Sequence, residues 1–246
     1  MMTRFIFAAA AVAASALAQQ QRAPVVVELF TSEGCSSCPP ADTVLARLDR
    51  EQPVSGVEVI ALGEHVDYWD HEGWRDRFSS ALFTARQQDY GQALKLESVY
   101  TPQMVINGQT QVLGSDWNAA NNAIRAAAQA VRAMVSLRVT GWDTMSVQVR
   151  ELPKGTQAAD MFLAIAENGL DTSVFGGENN GRRLRHSAVV RTMTRLGNLD
   201  GKKSTSYAAD TRFNVRPEWN RQNLRLVFFL QERGTRKIVG AAAARL

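Results

Sequence analysis

Apolar positions divide this chain into two stretches of different period. The run VVVELF, Val25 to Phe30, is apolar with one interruption and predicts a buried strand. Ala41, Val44, Leu45 and Leu48 then recur at helical spacing and predict a helix to about Arg50. Val57 to Val66 predicts a second strand, and Phe78 to Leu96 a helix with partial apolar spacing at Phe78, Leu82, Ala85 and Leu94. Pro102 opens a short strand through Met104, Val105 and Ile106. The Asn107-Gly108 turn sends that strand into a hairpin partner, Gln109 to Gly114. Ser115 or Asp116 caps a helix to about Ala133, with Trp117, Ile124, Ala127, Ala128 and Val131 available for its buried face. The predicted order is β-α-β-α-β-β-α.

From Val135 the period changes to two. Val135, Leu137 and Val139 alternate with polar residues, as do Met145, Val147 and Val149. Met161 to Ala166, Ser187 to Met193, Leu224 to Leu230 and Lys237 to Ala244 are further strands, and Phe228-Phe229 marks one buried on both faces. Gly169 to Arg185 is Gly/Asn-rich and polar, and is expected to be a loop and the least ordered part of the chain. The pattern predicts an α/β domain over residues 24–133 followed by an all-β, sandwich-like domain over residues 135–246. The length, 246 residues, allows two cores, and no internal repeat is visible.

The N-terminus has the pattern of a secretory signal over residues 1–18. Arg4 precedes the apolar, Ala-rich Phe5 to Leu17, and Ala16-Leu17-Ala18 fits a small-x-small cleavage site. No other segment is long and apolar enough to cross a membrane, so a periplasmic or secreted protein without a membrane span in its mature chain is expected. The net charge of +4 is modest and the basic residues are scattered, apart from Arg182, Arg183 and Arg185 leading to His186. That run is expected to be a solvated face. No nucleic-acid motif is present, and no nucleic-acid partner is expected.

Export changes the meaning of the chain's two cysteines, Cys35 and Cys38. A bond between them would close almost no chain and stabilise little, which argues for redox use over structural use. They lie between the first strand and the first helix. A thiol at a helix N-terminus faces unpaired N–H groups and the positive end of the helix dipole, both of which favour the attacking thiolate. Pro39 and Pro40 put Cys38 at the helix edge. Ser36-Ser37 between the cysteines offers hydroxyls but no positive charge. Cys35, nearer the exposed end of the turn, is the candidate attacking thiol, and Cys38 the resolving one. A zinc site would want more ligands than two cysteines supply.

Four other positions are candidates for chemistry around the cysteines. Glu28 alternates with Val26 and Phe30, so it is either a buried carboxylate that shuttles protons or one at the sheet margin. His65 ends the second strand with Asp67 close by, and is either a proton carrier or metal ligand, or a structural histidine. Trp69 and Trp74, with Tyr68, either wall a substrate cleft or pack their own loop. Glu33 and His71 are expected to be solvated.

The Cys-x-x-C turn and the stretch VYTPQMVING together resemble the thioredoxin-like fold. That resemblance implies a proline, usually cis, against the cysteines, with Thr101 and Pro102 presenting an edge to an extended substrate. The stretches GCSSCPPAD, HVDYWD followed by Gly73-Trp74, VYTPQMVING and GENNGRRLRHSAVVR resemble, in order, a family of secreted bacterial proteins of unknown function. The family implies export, a thioredoxin-like N-terminal domain and a β-rich C-terminal half, but no substrate. Three functions follow. The first is thiol–disulfide exchange with a protein or small-molecule thiol or disulfide, with no cofactor beyond the Cys35–Cys38 disulfide. The second is copper binding by Cys35, Cys38 and His65, since soft thiolates suit Cu(I). The third is a non-catalytic binding protein with a constitutive disulfide. Oligomeric state is left open.

Overall fold

The computed structural model describes residues 22–246, so the signal-peptide expectation lies outside the described residues. The strands are β1 (Ala23–Thr31), β2 (Val57–His65), β3 (Gln103–Ile106), β4 (Thr110–Leu113), β5 (Met134–Val139), β6 (Thr144–Arg150), β7 (Ala158–Glu167), β8 (Leu170–Ser173), β9 (Arg183–His186), β10 (Val189–Asp200), β11 (Tyr207–Arg212), β12 (Leu224–Glu232) and β13 (Ile238–Arg245). The helices are α1 (Pro39–Glu51), α2 (Ala81–Ala93) and α3 (Trp117–Ala127).

The expected division into a thioredoxin-like α/β domain and a separate all-β domain is overturned. One eight-stranded mixed sheet, ordered β13-β12-β7-β10-β2-β1-β3-β4, runs through both halves of the chain. The join is short: β10 pairs with β2 in parallel through Val189 and Gly63, and Gly63 N–H also donates to Ala188 O at 2.7 Å. Parallel neighbours on both sides explain why β2 is buried along nearly its whole length. A sandwich element does exist, but as a three-stranded sheet, β11-β6-β5, packed on the long one.

Alternation of side chains assigns the two faces of the long sheet. Val25, Val27, Leu29, Val59 and Ala61 pack against Ala41, Leu45 and Leu48 of α1 and against Ile124 of α3. Further along that face, Met161, Leu163 and Ile165 of β7 and Phe228 of β12 meet Val135, Leu137 and Val147 of the small sheet. The opposite face carries Val26, Ile60, Leu62, Ala164, Val227 and Phe229, and α2 covers it through Phe83.

Local signals are obeyed where they were strong. Pro39 and Pro40 occupy the first helical positions of α1, Cys38 is its N-cap, and Asp42 places an acid in its first turn. Asp116 caps α3 by accepting from Ala119 N–H at 2.9 Å, and Ser80 caps α2. The Asn107-Gly108 turn has positive φ at both residues, 45° and 68°, and joins β3 to β4. A side chain at Gly108 would collide with the Arg236 carbonyl, so this turn is also where the β12–β13 hairpin seats. Three expectations fail. The helix expected to reach about Ala133 ends at Ala127, and Val131, expected on its buried face, is exposed. The helix expected from Phe78 begins only at Ala81. The segment expected to be an open loop, Gly169 to Arg185, forms the β8–β9 hairpin with a short 3₁₀ turn at Gly177–Asn179.

Candidate functional site

Cys35 and Cys38 form a disulfide at the N-terminus of α1, with Cα atoms 5.4 Å apart. The turn is held by Cys35 N–H to Ser32 O at 3.3 Å and Cys38 N–H to Cys35 O at 3.2 Å. Ser37 Oγ lies 3.4 Å from Cys35 Sγ, which is the contact the intervening serines offer. Both cysteines are 0% exposed, so the expected exposure of Cys35 is corrected. Ser36 and Ser37 alone of this turn face solvent.

The cover comes from the segment between β8 and β9. Asn179, fully buried, donates from Nδ2 to Glu33 O at 2.8 Å and to Cys35 O at 3.0 Å. Its Oδ1 accepts from Arg182 at 2.9 Å. Glu178 Oε2 accepts from Ser36 N–H at 2.9 Å, and the arrangement holds that carboxyl below its ordinary range. Gly176 lies so close to Gly73 that any side chain there would strike the Gly73 carbonyl. Trp74 and Phe175 meet at the outer edge, with ring centroids 6.4 Å apart.

Around the cysteine turn, through Glu33 before it and Asp42 after it, lies a buried cluster of two imidazoles and three carboxylates. Asp42 follows Cys38 by four residues and therefore shares its face of α1. Its Oδ1 accepts from Thr31 Oγ1 at 2.9 Å, and its Oδ2 is 3.8 Å from His186 Nδ1. Burial raises the Asp42 pKa, and the nearby imidazoles offset this only in part. His65 Nδ1 is 2.6 Å from Asp76 Oδ2, with both side chains buried. Burial opposes the charge on His65. The charge and hydrogen bond of Asp76, helped by Asp42 and Glu33, outweigh it, so the His65 pKa is raised. Asp76 also accepts from Glu33 N–H and Phe78 N–H, and its carboxyl is lowered despite burial. Glu33, expected to be solvated, is fully buried and accepts from Trp74 Nε1 at 2.9 Å. His186 Nε2 lies 3.2 Å from Glu33 Oε1, close enough for an ion pair but without hydrogen-bond geometry, and both His186 nitrogens lack a partner. The two imidazole rings meet edge to face at 4.9 Å.

The other sequence-selected residues divide between this site and elsewhere. Trp69 lies against Gly34 and donates from Nε1 to Thr101 Oγ1 at 2.8 Å. The Thr101–Pro102 bond is cis, and Gly114 sits between Pro102 and Ala41 of α1. Trp69, Trp74, Thr101 and Pro102 therefore converge around the cysteine turn. His71 is exposed, as expected. Glu28 is not in the cluster. It is buried on the α2 face, accepting from Arg86 at 2.6 Å and from Tyr90 at 2.5 Å. Asp42 and His186 were missed. Asp42 had a signal in its four-residue spacing from Cys38. His186 was hidden in a basic run whose arginines are indeed exposed. Among the described residues no group of three His, Cys, Asp or Glu side chains is set to hold a metal ion.

No helix among the described residues is long and apolar enough to cross a membrane. The crystal structure of protein AGR_C_4864 from Agrobacterium tumefaciens is similar, with a TM-score of 0.70 and 30% identity over 89% of this chain and 92% of that one. A domain of the outer membrane lipoprotein Omp28 from Porphyromonas gingivalis aligns over 47% of this chain and 94% of its own at 11% identity. Its TM-score of 0.26 is too low to carry an argument. No curated protein matches. A family model described as "Protein of unknown function (DUF1223)" matches residues 26–231. The chain belongs to this DUF1223 family.

Proposed function

We propose that this is an exported thiol–disulfide exchange protein acting through Cys35 and Cys38. The observation that carries the reading is the placement of the disulfide at a helix N-terminus, between buried Glu33 in the preceding turn and buried Asp42 in the first turn of α1. A purely structural bond closing so short a loop stabilises little and does not need five costly buried ionisable groups beside it.

In the proposed cycle a substrate thiolate attacks Sγ of Cys35. The Cys35–Cys38 bond breaks, and Cys38 leaves as a thiolate. A second substrate thiol then attacks the mixed disulfide and releases Cys35, so the protein gains two electrons and the substrate forms a disulfide. The reverse sequence reduces a substrate disulfide. The helix dipole stabilises the departing Cys38 thiolate. Asp42, one turn along the same face and held toward its protonated form by burial, is the group placed to supply a proton. His186 and Glu33 are placed to reload it. Substrate reaches the buried sulfurs only when the 174–182 segment lifts from the turn.

The test is equilibration of the pair against glutathione and dithiothreitol, followed by thiol trapping. A reduction potential of roughly −120 to −270 mV, the range of exchange proteins, is expected. A value below about −300 mV would assign the bond a structural role. Cys38→Ser is expected to accumulate a mixed disulfide through Cys35.

A further inference from the structure

A second polar surface lies on the far side of Phe78 from the imidazole pair. It is a groove of about 410 Å³ between the start of α2 and β10. Three arginines reach it from three separate segments: Arg77 before α2, Arg191 on β10, and Arg216 after β11. Arg77 and Arg191 both stack on Phe78. Their guanidinium carbons are 4.5 and 5.2 Å from the Phe78 ring centroid. Arg191 and Arg216 are 5.2 and 5.7 Å from that of Trp219.

The acids nearby do not use up this positive charge. Arg191 donates to Glu167 at 2.9 Å, and Glu167 also accepts from Asn220 N–H. Arg77 donates only to the Asp171 carbonyl, and Arg216 has only Glu218, at 3.9 Å. Each guanidinium carries five N–H donors, so most of the donors here are unspent. Burial, with repulsion from Arg77 and Arg216, lowers the Arg191 pKa in spite of Glu167 and Glu218. Trp219 adds a second observation. It is 6% exposed, it lines the groove, and its indole N–H has no acceptor. A buried N–H without an acceptor costs about 1–3 kcal/mol and asks for a partner. Beside the arginines the groove is apolar. Leu82 on its rim is 49% exposed, and Met193 lies next to it.

We propose that this groove binds an amphipathic organic anion, a carboxylate bearing an apolar chain. The carboxylate oxygens sit among Arg77, Arg191 and Arg216, beside the Trp219 ring. The chain lies over Leu82 and Met193. Bidentate arginine–carboxylate pairing supplies the strength, and the exposed apolar rim supplies the selectivity for an organic over an inorganic anion. The site stands whether or not the cysteines exchange disulfides.

The experiment is titration of the ¹⁵N-labelled full mature chain with decanoate, reading the indole resonance of Trp219 as assigned by Trp219→Phe. Decyltrimethylammonium, with a chain of the same length and the opposite charge, is the control. Decanoate is expected to shift the Trp219 signal saturably, and the cation to leave it in place. Arg216→Ala removes an exposed side chain and should leave the fold intact while weakening decanoate binding roughly tenfold. No shift with decanoate, an equal shift with the cation, or unchanged affinity in Arg216→Ala would overturn the proposal.

Discussion

Strands β1 and β2 carry buried polar side chains on both faces, and the two sets behave differently. On the α2 face, Glu28 and Glu64 meet Arg86, Tyr90 and Gln231. Glu28 accepts from Arg86 and Tyr90, while Gln231 accepts from Arg86 at 3.0 Å and donates to Tyr90 at 2.7 Å. Glu64, fully buried and 3.6 Å from Arg86, has its pKa pushed well up by burial and by Glu28. One arginine thus faces both carboxylates. On the α1 face, Thr31 and His65 meet Asp42, Asp76, Glu33 and His186. There the basic groups are imidazoles, and polar atoms without a hydrogen-bond partner occur on both faces: the two Glu64 oxygens on the first, His186 and Glu33 Oε1 on the second. The first set centres on an arginine and is linked across α2, β1 and β12, which suits a tie between the two halves of the chain. The second centres on histidine, the side chain whose ordinary pKa lies nearest neutrality, and surrounds the turn that carries the disulfide. Burial alone therefore does not mark a functional carboxylate. What separates Glu28 from Asp42 is whether its partner can change protonation.

The largest test of this contrast is Arg86→Met. It leaves Glu28 buried without its cation and should cost about 3–5 kcal/mol in urea unfolding at neutral pH. The Cys35–Cys38 potential should hardly move. A stability change no larger than that of a surface substitution, or a large shift in potential, would break the comparison.

Asp76→Asn should cost less, about 2–3 kcal/mol, because the amide oxygen retains part of the bonding. Its pH dependence carries more information. The raised His65 pKa contributes stability that is full below the unfolded value of about 6.5 and is lost as pH rises through the folded one. The lowered Asp76 pKa contributes stability that is present above about 3.8 and is lost as pH falls through the folded value. Together they favour the mildly acidic range. Asp76→Asn should flatten that maximum, while Arg86→Met should leave it in place. An unchanged profile in Asp76→Asn would remove the titratable character assigned to this face.

Much of the α1 face was legible in the sequence because its signals are local. The VVVELF run, the Cys-x-x-C turn, Pro39-Pro40 and the Asn107-Gly108 hairpin each act over a few residues, and each sits where expected. The joining of the two halves was not legible. It rests on a single parallel pair, Val189 with Gly63, between strands more than a hundred residues apart in sequence. The alternation that suggested a separate sandwich is real, but alternation reports that a strand has two faces and not which sheet it joins. Glu33, Asp42 and His186 were obscured for the same reason. Each lies in a polar stretch that looks solvated until β9 and the segment before it fold back over the turn.

Reduction of the disulfide should cost about 2 kcal/mol, the loop-closure value for so few residues, measured by unfolding the oxidised and reduced forms. This sharpens the contrast by asking whether the α1 face holds the fold or only uses it. A loss as large as that of Arg86→Met would make the bond structural and put both faces in one class.

Asn179→Ala addresses how the covered face works, with the smallest expected cost in stability. It removes the two bonds to Glu33 O and Cys35 O and leaves Glu178 in place. The loss should be about 1–2 kcal/mol, and it falls on the cover and not on the sheet. If sulfur access waits on lifting that cover, the opening equilibrium moves by the same amount. Dithiothreitol should then reduce the variant roughly tenfold faster, since 1.4 kcal/mol is a factor of ten. Arg86→Met, though far less stable, should be reduced at the wild-type rate under native conditions, because its weak point is on the other face. Equal reduction rates for Asn179→Ala and wild type would mean that reagents reach the sulfurs past a closed cover. Asn179 would then order the turn without gating it.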